Sequence, residues 1–215
     1  MKRRSLCIAL GLLVAFVLWT LAVGLIDVQP IGPGGSSVGF AALNGFVHDL
    51  TGVHMPLYTI TDWLGLVPVA VGLGFAVLGL VQWIKRKSIR KVDRSILILG
   101  GFYVITLAAY LLFESYVVNY RPVLIEGYLE VSYPSSTTLL VLCVMPTAGM
   151  QLRQRIRHPV LRRCVSAAIT AFTVFMVIGR LASGVHWLTD IIGGILLGAG
   201  LVMVYDSLTG GKNNA

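Results

Sequence analysis

Residues 95–118 read SILILGGFYVITLAAYLLFESYVV, with Glu114 as the single charge. As a helix this stretch rises about 36 Å, enough to cross a hydrocarbon layer of about 30 Å. It lacks the alternating pattern of a barrel strand, so a helix is the form that satisfies its backbone in lipid. Working outward, residues 5–26 and 62–84 before it, and 135–152, 164–182 and 187–205 after it, reach or approach spanning length. The expected fold is all-α, a polytopic membrane protein. One domain, residues 1–215, forms a six-transmembrane-helix bundle, with the fourth span short and kink-prone at Pro146. Composition agrees: 56% of residues are hydrophobic, 12% are charged and the mean hydropathy is +0.84, whereas soluble domains carry about 25% charge. Disorder, a disulfide-stapled secreted miniprotein and a nucleic-acid-binding domain are excluded.

The net charge of +8 is a topology signal. Lys2, Arg3 and Arg4 precede the first span, and Lys85, Arg86, Lys87, Arg90, Lys91 and Arg94 lie between the second and third. Arg153, Arg155, Arg157, Arg162 and Arg163 lie between the fourth and fifth, and Lys212 follows the sixth. These fifteen of seventeen basic residues fall on one side, which the positive-inside rule makes cytoplasmic, with both termini. No nucleic-acid partner is needed to explain them. The loop KRKSIRKVDR is expected to touch anionic lipids. Arg121 and Arg180 remain for the outer side, with seven of nine acids, among them Asp62, Glu114, Glu126, Glu130 and Asp190.

The first span opens with MKRR but is longer than a signal-peptide core, so it reads as a retained helix. The longest outer segment, residues 27–61, carries PIGPGG at 30–35 and continues with Phe40, Leu43, Val47 and Leu50 at helical spacing. This predicts a short helix lying in the outer interface. His48 and His54 give only a weak metal pattern, and headgroup or surface contact is the preferred reading. Cys7, Cys143 and Cys164 read as small buried residues without a disulfide or zinc pattern. Gly194 and Gly198 predict close helix packing. Trp63, Trp83 and Trp187 read as interface belts, as do Tyr120 and Tyr133, which could alternatively stack on a headgroup.

Charges at membrane depth are functional-site candidates, and Glu114, Arg121, Arg180, His186 and Asp190 gather at the outer ends of the spans. In GRLASGVHWLTD, His186 and Asp190 are four apart. On a helix they share a face, so the carboxylate would accept from one imidazole N–H and leave the other nitrogen a free electron pair. Arg180 would offer a forked cation to an anion. From these residues alone, a snorkelling arginine and an interfacial histidine fit equally well.

Three motifs in order change that balance. The chain has Glu114-x6-Arg121-Pro122, then Pro134-Ser135-Ser136-Thr137, then Gly179-Arg180-x5-His186-x3-Asp190. This resembles the type 2 phosphatidic acid phosphatase superfamily, whose pattern is K-x6-RP, PSGH and SR-x5-H-x3-D. The resemblance implies a six-helix membrane phosphatase without a metal or other cofactor. His186 would attack phosphorus to form a phosphohistidine, oriented by Asp190. Arg121, Arg180 and the Ser135 hydroxyl, with backbone N–H groups around Ser135 and Ser136, would bind the phosphoryl group. The partner implied is a membrane lipid phosphate or diphosphate, and oligomeric state is left open.

The chain departs from the pattern at four positions. Gly179 replaces serine and Ser136 replaces glycine. Glu114 replaces the lysine, so it should be protonated or turned toward Arg121. Thr137 replaces the histidine that protonates the leaving group, a loss worth about 10²- to 10⁴-fold. Lipid diphosphates, such as polyprenyl diphosphate, are therefore expected over monophosphates unless Glu114 or Glu126 serves as the acid. A lipid phosphotransferase and a non-catalytic lipid-phosphate-binding or transporting protein are the alternatives.

Overall fold

The computed structural model describes residues 2–209, with side chains from Arg4 onward. Lys212, and the side chains of Lys2 and Arg3, lie outside the described residues. The elements are α1 (Lys2–Leu25), α2 (Ala41–Thr51), α3 (Met55–Leu64), α4 (Leu66–Arg86), α5 (Arg94–Ser115), α6 (Ser136–Arg155), α7 (Pro159–Ala182) and α8 (Leu188–Thr209). Among the described residues the chain is all-helical and multi-pass, with five segments long and apolar enough to cross a membrane.

The expected fourth span is not among those five. Its helix, α6, starts at Ser136, passes through Pro146 and ends at Arg155. It is the most polar of the long helices because neighbours surround it. Packed between α4, α5, α7 and α8, it buries Thr138, Thr147 and Gln151, which protein groups can satisfy and lipid cannot. The expected fifth span begins five residues early, since the His158 ring accepts from Leu161 N–H and Pro159 takes the first helical position. The expected second span is preceded by α3, which joins α4 at Gly65. Pro68, in the first turn of α4, has no N–H to continue the ladder back across that joint.

Helix α8 is the axis of the bundle. Cβ atoms placed on Gly194 and Gly198 would come within 3.1 Å and 2.9 Å of Thr138 and Leu142, so these glycines set the α6–α8 distance. Together with α1, which packs along the other flank of α8, they make a closed seam. The opposite side is open. An apolar cleft of about 630 Å³ runs between α4, α5 and α6 and continues into a second of about 400 Å³ between α4 and α5.

The segment after Ile26 folds against this frame. Phe40 is the left-handed residue before α2 rather than part of its apolar stripe, and it stacks on Trp19 at 5.1 Å. Buried Asn44 ties α2 to α8 through Thr189, while Leu43, Phe46 and Leu50 face outward. Three more expectations change. Cys143 is buried, but Cys7 and Cys164 sit on the outward faces of α1 and α7. Trp187 is buried, donating from Nε1 to the Tyr120 carbonyl at 2.7 Å. Tyr133 is also core, paired with Thr20 at 2.7 Å. Both aromatic residues are held inside by a polar partner, which a belt reading does not anticipate. Trp63 and Trp83 remain exposed.

Candidate active site

The site forms at the end of the bundle opposite the basic loops 87–93 and 156–158. Three strips of chain meet there: the start of α6, the turn between α7 and α8, and the long connection 116–135. That connection doubles back on itself. Tyr120 pairs with Val131, and Ser132 N–H donates to Asn119 C=O at 3.0 Å. Arg121 N–H donates to Glu130 C=O at 3.0 Å. The tip is Glu126-Gly127, both with positive φ, the form that a tight two-residue turn requires. This return sets Asn119, Arg121 and Ser132 side by side. It also carries Glu126 to an exposed tip.

His186 is buried in the turn just before α8. Its Nε2 lies 3.3 Å from Arg121 Nη1 and 3.2 Å from Arg180 Nη2. A guanidinium only donates, so Nε2 is the acceptor and Nδ1 carries the hydrogen. Desolvation first, and then the charges of Arg121 and Arg180, push the histidine pKa well below its ordinary value. The imidazole is therefore neutral, with an electron pair on Nε2.

The expected direct His186–Asp190 hydrogen bond is absent among the described residues. His186 precedes the first turn of α8 rather than sharing its face with Asp190, and Nδ1 to Asp190 Oδ2 is 3.7 Å. Ser132 bridges them: its Oγ is 3.2 Å from Nδ1 and donates to Asp190 Oδ2. Asp190 is buried and also accepts from Trp187 N–H at 2.9 Å and Asn119 Nδ2 at 3.2 Å. Its carboxylate is thus a fixed acceptor at the back of the imidazole.

The front is different. Arg121 Nε lies 3.0 Å from Glu130 Oε2 without hydrogen-bond alignment, and Arg180 Nη1 lies 3.6 Å from Asp62 Oδ1. Arg121 Nε, Arg180 Nε and Nη1, Ser135 Oγ and Thr138 Oγ1 are buried and find no hydrogen-bond partner among the described residues. Ser135 precedes α6 without using its side chain as a cap, and its N–H donates to the Asp190 carbonyl. Unpaired donors of two cations beside a helix N-terminus suit an anion. The Tyr58 ring lies against both guanidiniums, 5.0 Å from Arg180 Cζ and 5.8 Å from Arg121 Cζ.

Four expected residues thus come together: Arg121, Arg180, His186 and Asp190, with Ser135 adjoining. Ser136 and Thr137 line the large cleft. Glu114 is exposed and lines a small pocket beside Ser136. It does not turn to Arg121, whose ion-pair partner is Glu130, delivered by the doubled-back connection. Ser132, Asn119, Tyr58 and Glu130 were not anticipated. Ser132 and Asn119 stand outside the three motifs, and only the pairing within the connection brings them in. His48 packs on Trp187 and His54 Nε2 meets the Thr51 carbonyl, so neither histidine enters the site.

Such a bundle is a multi-pass membrane protein that gathers a buried neutral histidine, two arginines and unpaired donors at one end, an arrangement that suits an anion. The chain belongs to the PAP2 superfamily, whose model matches residues 69–209, and so stands among phosphatases. The fold is similar to that of the crystal structure described as the first transmembrane PAP2 type phosphatidylglycerolphosphate phosphatase, from Bacillus subtilis. The two share 18% identity over 96% of this chain and 98% of that one, with a TM-score of 0.56. No curated protein sequence matches the chain.

Proposed function

We propose that the protein is a lipid phosphatase of the outer membrane face, working through a phosphohistidine on His186. The observation that carries this reading is the set of unpaired guanidinium and hydroxyl atoms around a neutral imidazole nitrogen. In this reading α6 completes six spans, both termini are cytoplasmic, and α2 rests on the outer interface with Phe46 and Leu50 toward lipid.

The chemistry runs in two steps. Nε2 attacks phosphorus as the bond to the leaving oxygen breaks, and Arg121, Arg180 and Ser135 take up the charge on the phosphoryl oxygens. Nδ1–H is held by Ser132, and Asp190, behind Ser132, stabilises the positive charge that develops on the ring. Water then attacks the phosphohistidine, releasing phosphate and restoring the imidazole. The apolar cleft beside Ser136 and Thr137 takes the lipid tail. The Bacillus subtilis relative's phosphatidylglycerolphosphate activity supports a lipid substrate here. Thr137 cannot donate a proton near neutral pH, so the less basic phosphate leaving group of a lipid diphosphate is favoured over an alkoxide.

The test is phosphoenzyme trapping from a radiolabelled isoprenoid diphosphate and from phosphatidate, with the purified protein in nanodiscs. An acid-labile, base-stable adduct should form and vanish in His186→Ala, together with phosphate release. Phosphate binding without an adduct would instead favour a binding-only protein, and acceptor-dependent release would favour a transferase.

A further inference from the structure

The missing proton donor has a replacement on a different helix. We propose that Asp62 is the general acid of this site, giving a proton to the leaving oxygen in the role that Thr137 cannot fill. The proposal rests on the phosphohistidine reading above.

In an in-line displacement the leaving oxygen departs opposite His186 Nε2, and it carries the lipid tail. The donor must therefore stand where the phosphate site meets the tail cleft. Asp62 lines the mouth of that cleft with Ser136 and Thr137, and its Oδ1 is 3.6 Å from Arg180 Nη1. No other carboxylate among the described residues does both. Glu130 pairs with Arg121 and does not line the cleft. Glu114 lines the smaller pocket and pairs with neither arginine. Asp190 is fully buried and committed to Ser132, Asn119 and Trp187.

Two departures from the family pattern are linked here. Asp62 reaches Arg180 because α3 packs on α7, and Gly179 lies in that contact. A Cβ there would lie 2.8 Å from Thr61 Cγ2, and Thr61 is completely buried. With the serine of the family pattern at 179, Thr61 would have to shift and its neighbour Asp62 with it. Helix α3 is also fixed ahead of this contact, where His54 N–H donates to Ser183 C=O at 2.9 Å. Gly179 makes room for the helix that carries the carboxylate, and Thr137 leaves the opposite wall of the cleft without a donor of its own.

Arg180 Nη1 lacks a true hydrogen bond to Asp62, so an incoming phosphate can take over the guanidinium. A phosphate monoanion brings one proton, which it shares with the adjacent Asp62 carboxylate. As the Nε2–P bond forms and the P–O bond breaks, that proton moves from Asp62 to the leaving oxygen. In the second step water attacks the phosphohistidine, the N–P bond breaks, and phosphate leaves as the monoanion with both protons of the water, so the imidazole and the Asp62 carboxylate end as they began. A residual acid of this kind lets monoesters turn over more slowly than diphosphates instead of not at all.

The test compares leaving groups, because acid catalysis matters most for basic ones. The full chain in nanodiscs, as wild type, Asp62→Asn, Asp62→Glu and His186→Ala, is assayed on dodecyl phosphate and on p-nitrophenyl phosphate. Asp62→Asn should lose about 10²-fold or more on the alkyl ester yet stay within about tenfold of wild type on the aryl ester, whose leaving group needs no proton. Asp62→Glu should recover part of the alkyl activity. Equal losses on both esters would reduce Asp62 to a prop for Arg180, and no loss on either would remove it from the reaction. Both outcomes overturn the proposal while leaving the phosphohistidine reading intact. Aryl turnover that survives in His186→Ala would overturn the phosphohistidine reading itself, and the proposal with it.

Discussion

Behind His186, Ser132, Asn119 and the Trp187 amide all donate to Asp190, and Ser132 also meets Nδ1. In front, at Nε2, Arg121 and Arg180 carry N–H groups with no partner among the described residues, and Ser135 nearby carries an unpaired hydroxyl. Each such buried group costs about 1–3 kcal/mol, so the front of the site is held at a penalty that the back does not bear. The back sets the orientation of the imidazole before substrate arrives. The front is completed only by an anion. Stability and function are thus separated within a few ångströms of one ring.

The largest effect is expected at the front. Arg180→Lys keeps the charge but loses the planar fork, and kcat/KM should fall about 10²- to 10³-fold while the protein remains as stable as wild type by thermal melting in detergent. Near-normal turnover would mean that the unpaired donors are not the phosphoryl site. At the back, Ser132→Ala removes the bridge while Asp190 keeps two other donors. A loss of about tenfold in kcat with KM unchanged is expected, since a positioning defect is felt in the transition state. A loss as large as that of His186→Ala would show that the back does more than orient.

The smallest effect concerns pH. Burial and two guanidiniums lower the His186 pKa, so the acid limb of kcat lies below the ordinary histidine value of about 6.5. Lowering the pH to 6 would protonate about three-quarters of an unperturbed histidine, but it should cost this protein less than about half its kcat. A limb at or above 6.5 would contradict the electrostatic picture of the front.

Apolar runs such as 95–118 made most of the bundle readable from sequence, because lipid demands them. Helix α6 is less apolar because protein, not lipid, surrounds it, and it runs on past the apolar stretch through the polar residues 153–155. His186, Asp190, Arg121 and Arg180 were legible through their spacing. Ser132 was not, because its role depends on how residues 116–135 fold back. Asp62 looked like one more outer acid, since nothing in its own segment announces that α3 will meet α7 at Gly179.

The apolar cleft between α4, α5 and α6 opens sideways, and Leu66, Val69, Leu73 and Leu107 on its walls are exposed. With a tail lying in that cleft, the protein meets its substrate in two dimensions. The relevant concentration is then a mole fraction in the membrane. Dilution with inert lipid would slow turnover even when the total amounts of protein and substrate in the tube stay the same.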